Sequence, residues 1–138
     1  LMNHIYGEDF QYNEMWISGP GDEGKAVADM ITSANPIGGE DAPKPGEGPS
    51  REKRENGNYD ILFCADVDNQ VIKASVSGDM DPGYGSTSKM LAESAICLAI
   101  DKTPEFYGFV TPSVGLGDAL LNRLTNNAGL NFSVKKKY

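Results

Sequence analysis

Two strand-like runs, Tyr59–Ala65 and Val71–Val76, stand five residues apart, separated by Asp66-Val67-Asp68-Asn69-Gln70. A connection that short fits an antiparallel hairpin, since a parallel return needs a crossover of a dozen or more residues. Two helix-periodic stretches follow. Ser86 or Thr87 is expected to cap the first, which runs to about Ile100 with Met90-Leu91, Ala95 and Leu98-Ala99 on one face. Thr111-Pro112 opens the second, over 113–128, with Val114, Leu116, Leu120-Leu121 and Leu124 facing inward and Asn127 and Gly129 closing it. Leu130–Val134 reads as a last strand. The predicted fold class is α+β: a mostly antiparallel sheet with the two long amphipathic helices packed on it.

Upstream of the hairpin, Tyr6–Ser18 has the alternation of a half-buried strand, with Phe10 and Tyr12 interleaved with polar residues, and Gly19-Pro20-Gly21 ends it. Ala26-Val27 and Met30-Ile31 recur four apart, which predicts an amphipathic helix over Glu23–Ser33. Residues 35–49 hold four prolines and four glycines and read as a long loop of the kind that is functional or mobile. Ser50 is placed to cap a short charged helix, Arg51–Asn56. At 138 residues the chain fits one domain, residues 1–138.

Charge narrows the partners. Twelve Lys and Arg against 20 Asp and Glu give a formal net charge of -8, which repels polyanions and argues against nucleic acid. Lys135-Lys136-Lys137 reads as a solvated tail. Cys64 and Cys97 lack CxxC spacing, lie in apolar runs and read as buried small hydrophobes of a reducing compartment, so a cytoplasmic location is expected. No apolar run approaches the length of a membrane span, and a chain that begins at Leu1 reads as a fragment, a processed chain or a cloning product.

Most catalytic patterns fail on inspection. Gly83-Tyr84-Gly85 invites comparison with the dinucleotide fingerprint, but Ser88 occupies the third glycine position, and Asp79 and Asp81 would repel a pyrophosphate. A tight turn with φ > 0 at glycine explains those glycines better. Asp66-Val67-Asp68-Asn69 fails as a calcium loop, with Val71 where glycine and Ser77 where glutamate would stand. The one histidine, His4, is terminal and supports neither a hydrolytic triad nor a two-histidine metal site. Tyr84 and Lys89 are five apart, not the four that place a Tyr and a Lys on one helical face. What remains is a polar turn entering a helix. Its backbone amides could hold a carboxylate, with Lys89 and Tyr84 assisting. Asp81, Gly83, Tyr84, Gly85, Thr87 and Lys89 are therefore the candidate substrate-binding residues, alongside the plainer reading in which Thr87 caps and Tyr84 packs.

The stretch Asp81-Pro82-Gly83-Tyr84-Gly85-Ser86-Thr87-Ser88-Lys89-Met90-Leu91-Ala92-Glu93-Ser94 closely resembles the DPGYxxTxxMLxES segment of saccharopine dehydrogenase-like proteins. Gly48-Pro49-Ser50 with Arg54 resembles that family's GPSxxxR. Gly108-Phe109-Val110-Thr111-Pro112 resembles its GGxxTP, with Tyr107 in place of the preceding glycine. Gly117-Asp118-Ala119-Leu120-Leu121-Asn122-Arg123-Leu124 and Asn127-Ala128-Gly129-Leu130-Asn131-Phe132 resemble its GDxLxxRL and AGLxF. The motifs run in order from about Gly48 to Val134.

The resemblance implies the C-terminal, substrate-side or dimerisation portion of an NAD(P)-linked oxidoreductase acting on a small molecule, with a Rossmann domain and a homodimer as partners. No βαβ unit with a glycine fingerprint occurs in this chain, so it is expected to bind no NAD or NADP and to be inactive by itself. The alternative is a non-enzymatic binding or interaction domain of the same fold.

Overall fold

The computed structural model describes residues 10–33, 44, 46–68, 70–103, 105 and 108–135, with Lys135 described by its backbone only. His4, Asn69, Tyr107, Lys136, Lys137, the start of the predicted N-terminal strand and most of the 35–49 loop lie outside them. The chain divides into two compact units, Leu1–Glu47 and Gly48–Tyr138.

In the first unit, helix α1 spans Gly21–Ser33, with Asp22 and Glu23 in its first turn, where acids favour the helix dipole. Gly24 is buried against the Gly19 carbonyl, which leaves no room for a Cβ. Residues 10–18 take no regular structure, contrary to the strand predicted there. Alternation supplies a face, but a strand also needs a neighbour for its N–H and C=O groups. Met15, Trp16 and Ile17 are all exposed.

The second unit begins with α2 (Arg51–Asn56), where Ser50 Oγ accepts from the Lys53 N–H at 3.3 Å as the expected cap. Strands β1 (Tyr59–Val67) and β2 (Gln70–Gly78) form the predicted antiparallel hairpin, and β3 (Leu130–Lys135) completes a sheet of order β1-β2-β3. The hairpin connection is tighter than five residues: Val67 pairs with Gln70, leaving a two-residue turn in which Asp68 takes φ 51. The register puts Ile61, Val76 and Phe132 in one row and Phe63, Ala74 and Val134 in the next, all on one face. That face stays open: Ile61, Phe63, Phe132 and Val134 are exposed.

Helix α3 covers Gly85–Ile100 and α4 covers Pro112–Asn127. They pack mainly against each other around Cys97, Leu116 and Leu120, with Ala119 and Leu124 alongside, while α4 also meets β3. The α+β class of the prediction therefore holds. Three details differ. The α4 backbone breaks at Gly117, whose φ of 52 and ψ of -138 are not helical. Leu121 is exposed rather than inward-facing. On α3 the inward stripe is Ser86, Lys89-Met90, Glu93-Ser94 and Cys97, of which Ser86 and Cys97 are buried and the rest half-buried, whereas Leu91, Ala95, Leu98 and Ala99 lie outward. Apolar residues occur all round this helix, so periodicity could not choose its inner face. Cys97 is buried as expected; Cys64, on β1, is exposed, and both are free thiols.

Candidate functional site

The turn between β2 and α3 is organised by Asp81. Its Oδ1 accepts from the N–H groups of Gly83 at 3.1 Å and Tyr84 at 3.0 Å, and its Oδ2 from Gly85 at 2.6 Å. Burial raises the Asp81 pKa, yet the three donors and the charge of Arg54 outweigh it and hold the carboxyl below its ordinary range. The α3 N-terminus thus binds a carboxylate, as the sequence suggested, but the chain's own.

Two expectations are corrected here. Neither Ser86 nor Thr87 caps the helix: Thr87 donates to the Pro82 carbonyl at 2.6 Å, and Ser86 lies fully buried, its Oγ 2.8 Å from the Tyr59 hydroxyl. Gly83 and Gly85 do not have positive φ either. Gly85 is required by close approach instead, since a Cβ would meet Asp81 Oδ2 at 2.8 Å and the Met80 Cβ at 2.9 Å. With the 83–85 amides engaged by Asp81, the turn does not fit a dinucleotide pyrophosphate.

The GPSxxxR segment folds against this turn. The Asp81 N–H donates to the Arg54 carbonyl at 3.0 Å, and the Tyr84 ring lies over Gly48, where a Cβ would sit 3.1 Å from it. Tyr84 is 53% exposed, and its hydroxyl has no hydrogen-bond partner among the described residues. Lys89 is drawn away from the turn: it donates to Asp79 Oδ1 at 2.8 Å and to the Ala128 carbonyl at 3.4 Å. Asp81, Gly83, Tyr84 and Gly85 are therefore gathered at one corner, Thr87 supports it through Pro82, and Lys89 ties Asp79 to the end of α4.

Sequence reasoning missed a second polar cluster. Arg123 on α4 grips Asp101 through both Nε and Nη2, and its Nη1 donates to Glu93 Oε2 at 3.0 Å. Asn127 adds a bond to Glu93 at 3.2 Å. Hydrogen bonding to Asp101 and then to Glu93 raises the Arg123 pKa, and the same bond from Arg123 lowers that of Asp101. Burial pushes the Cys97 thiol beside Asp101 upward. A shallow, open depression adjoins this cluster, lined in part by Lys102, Asn122 and Asn126. Glu93 and Arg123 each stood in a quoted motif, but nothing local to either segment signalled a pairing 30 residues apart. Among the described residues no group of three His, Cys, Asp or Glu is placed to hold a metal, and no helix is long and apolar enough to cross a membrane.

Comparison with known proteins adds relatives of stated name. Proteins named trans-acting enoyl reductase from Mycobacterium bovis and Mycobacterium tuberculosis are each 32% identical to the chain over 143 aligned positions, covering 90% of this chain and 34% of theirs. One of the same name from Mycobacterium ulcerans is 39% identical over 85 positions, covering 59% of this chain and 20% of its own length. No protein-family model and no solved structure matches the chain. The chain is thus similar to proteins named as oxidoreductases and spans about a third or less of the length of these relatives.

Proposed function

We propose that the chain is the substrate-side portion of a saccharopine dehydrogenase-like, NAD(P)-linked oxidoreductase that reduces an enoyl group, and that it needs a separate nucleotide-binding domain to act. The similarity to trans-acting enoyl reductases over 90% of the chain carries this reading. The filled α3 N-terminus supports the division of labour, because a carboxylate already holds the amides that a pyrophosphate would use. The outward apolar residues Leu91 and Leu98 and the open sheet face with Ile61 and Phe63 support a partner domain or a second copy, since surfaces of this kind mark interaction sites. In this arrangement the Asp81–Tyr84 corner borders the cleft facing the nucleotide, as ligands favour domain interfaces. A reducing, cytoplasmic setting suits the two free thiols.

The test uses the protein encoded by the complete gene. Oxidation of NADH or NADPH that depends on an added enoyl thioester is the expected result. Failure of that protein to bind either nucleotide would overturn the oxidoreductase reading and leave the non-enzymatic binding domain.

A further inference from the structure

The strand register gives the sheet two unlike faces. Asp60, Asp66 and Lys73 stand on one, whereas the face that holds Ile61, Phe63 and Ile72 has no charged residue. One end of the uncharged face is covered, since Leu130 is buried and the Tyr59 hydroxyl bonds Ser86. The rest lies open, with Ile61 46%, Phe63 50% and Ile72 36% exposed. Within it large and small side chains alternate across the β1–β2 pair. Phe63 stands opposite Ala74, and in the next row Ala65 stands opposite Ile72.

We propose that this face binds a second copy of the protein, sheet against sheet, about a twofold axis that runs parallel to the strands between β1 and β2. The proposal rests on the reading above only in taking the open sheet face as an interaction surface, and it commits to a second copy over a partner domain.

A twofold contact sets a surface against itself, so the surface must be complementary to its own rotated image. Turning the sheet about this axis lays β1 of one copy over β2 of the other. Phe63 then faces Ala74 of the second copy, and Ile72 faces its Ala65. In both rows a large side chain enters the hollow that a small one leaves, as interdigitating sheet faces require. A different partner domain would not require the face to match itself. Charge points the same way. The chain's formal net charge of -8 makes two copies repel, and a charge close to a twofold axis meets its own like. The uncharged face avoids that second penalty. The overlapping strands span only roughly 10 by 20 Å, below the roughly 800 Å² per partner of a standard interface, so the dimer is a reversible one.

The test is sedimentation velocity of the protein encoded by the complete gene, over a range of loading concentrations and without nucleotide or enoyl substrate. A monomer–dimer equilibrium is expected. Phe63→Lys, and Ala65→Lys at an exposed position that folding tolerates, should each raise the dimer dissociation constant about tenfold or more, since each sets a charge in the contact. Leu62→Lys, on the opposite face, should leave it unchanged. Far-ultraviolet circular dichroism reports that each variant is folded. Phe63→Ala combined with Ala74→Phe exchanges knob and hollow and should retain more dimer than Phe63→Ala alone. A monomer at every concentration would overturn the proposal, as would a dimer that Ala65→Lys leaves intact or that Leu62→Lys weakens equally. Enoyl-dependent NAD(P)H oxidation is read separately, so loss of the dimer and loss of the oxidoreductase reading are distinguishable.

Discussion

The Tyr59 hydroxyl lies 2.8 Å from Ser86 Oγ, linking the first residue of β1 to the second residue of α3. Ser86 is fully buried, and this is the bond that satisfies its hydroxyl. Tyr59→Phe leaves that hydroxyl without a partner and is expected to cost about 1–3 kcal/mol. Adding Ser86→Ala should recover part of the loss, because removing both partners is milder than removing one. Urea denaturation of the two single variants and the double variant measures the coupling; strictly additive losses would count against it.

Asp81 makes the stability of the second unit depend on pH. Its carboxyl is held below the ordinary value when folded, so between the two values the unfolded chain binds more protons and stability rises with pH. Its contribution is therefore complete above about pH 4, the unfolded reference, and is lost as pH falls through the folded value. The stability gap between the unaltered chain and Asp81→Asn should be wide near neutrality and close on acidification. A gap that does not change with pH would show that the three amides do not select the ionised form.

Arg123→Met should lower the urea midpoint markedly, since it leaves Glu93 and Asp101 without their shared cation in a half-buried setting. Arg51→Met is the control. Its side chain is 82% exposed and its pair with Glu55 is a solvated i,i+4 contact of small effect. Equal midpoints for the two variants would reduce the Arg123 cluster to a surface feature.

Gly85 separates intrinsic propensity from local packing. Alanine favours a helix by about 1 kcal/mol over glycine, so propensity alone predicts that Gly85→Ala stabilises α3. The Asp81 carboxylate and Met80 crowd the space that a Cβ would fill. A net loss of about 1–3 kcal/mol is expected, as for an overpacked site. A stabilised variant would mean that the turn yields freely.

The parts of this architecture legible in the sequence are those with local causes. The hairpin followed from two apolar runs and a short polar connection, α2 from Ser50, and the close of α4 from Gly129, whose φ is 72. The candidate corner was legible in position but not in its wiring. An aspartate four residues before Gly85 looked like a repeller of anions, whereas the backbone folds round it and makes it the anion. Lys89, Glu93 and Arg123 have partners that only the tertiary fold brings near, so no spacing rule could supply them. The Gly117 break and the short hairpin turn depend on single residues with left-handed φ inside otherwise regular patterns.

Helix α3 provides the last expectation. Its amphipathic reading placed Leu91, Ala95 and Leu98 inward, yet Leu91 is 71% and Leu98 70% exposed, while the fully buried positions are Ser86 and Cys97. In this chain Leu91→Gln and Leu98→Gln should therefore each change stability by no more than about 0.5 kcal/mol, the usual range for surface substitutions. Cys97→Leu crowds a fully buried position beside Leu116 and Leu120 and should cost about 1–3 kcal/mol. Thermal denaturation of the three variants orders the two faces. A larger loss from either leucine than from Cys97 would reverse the assignment of the inner face and return α3 to the orientation that its periodicity suggested.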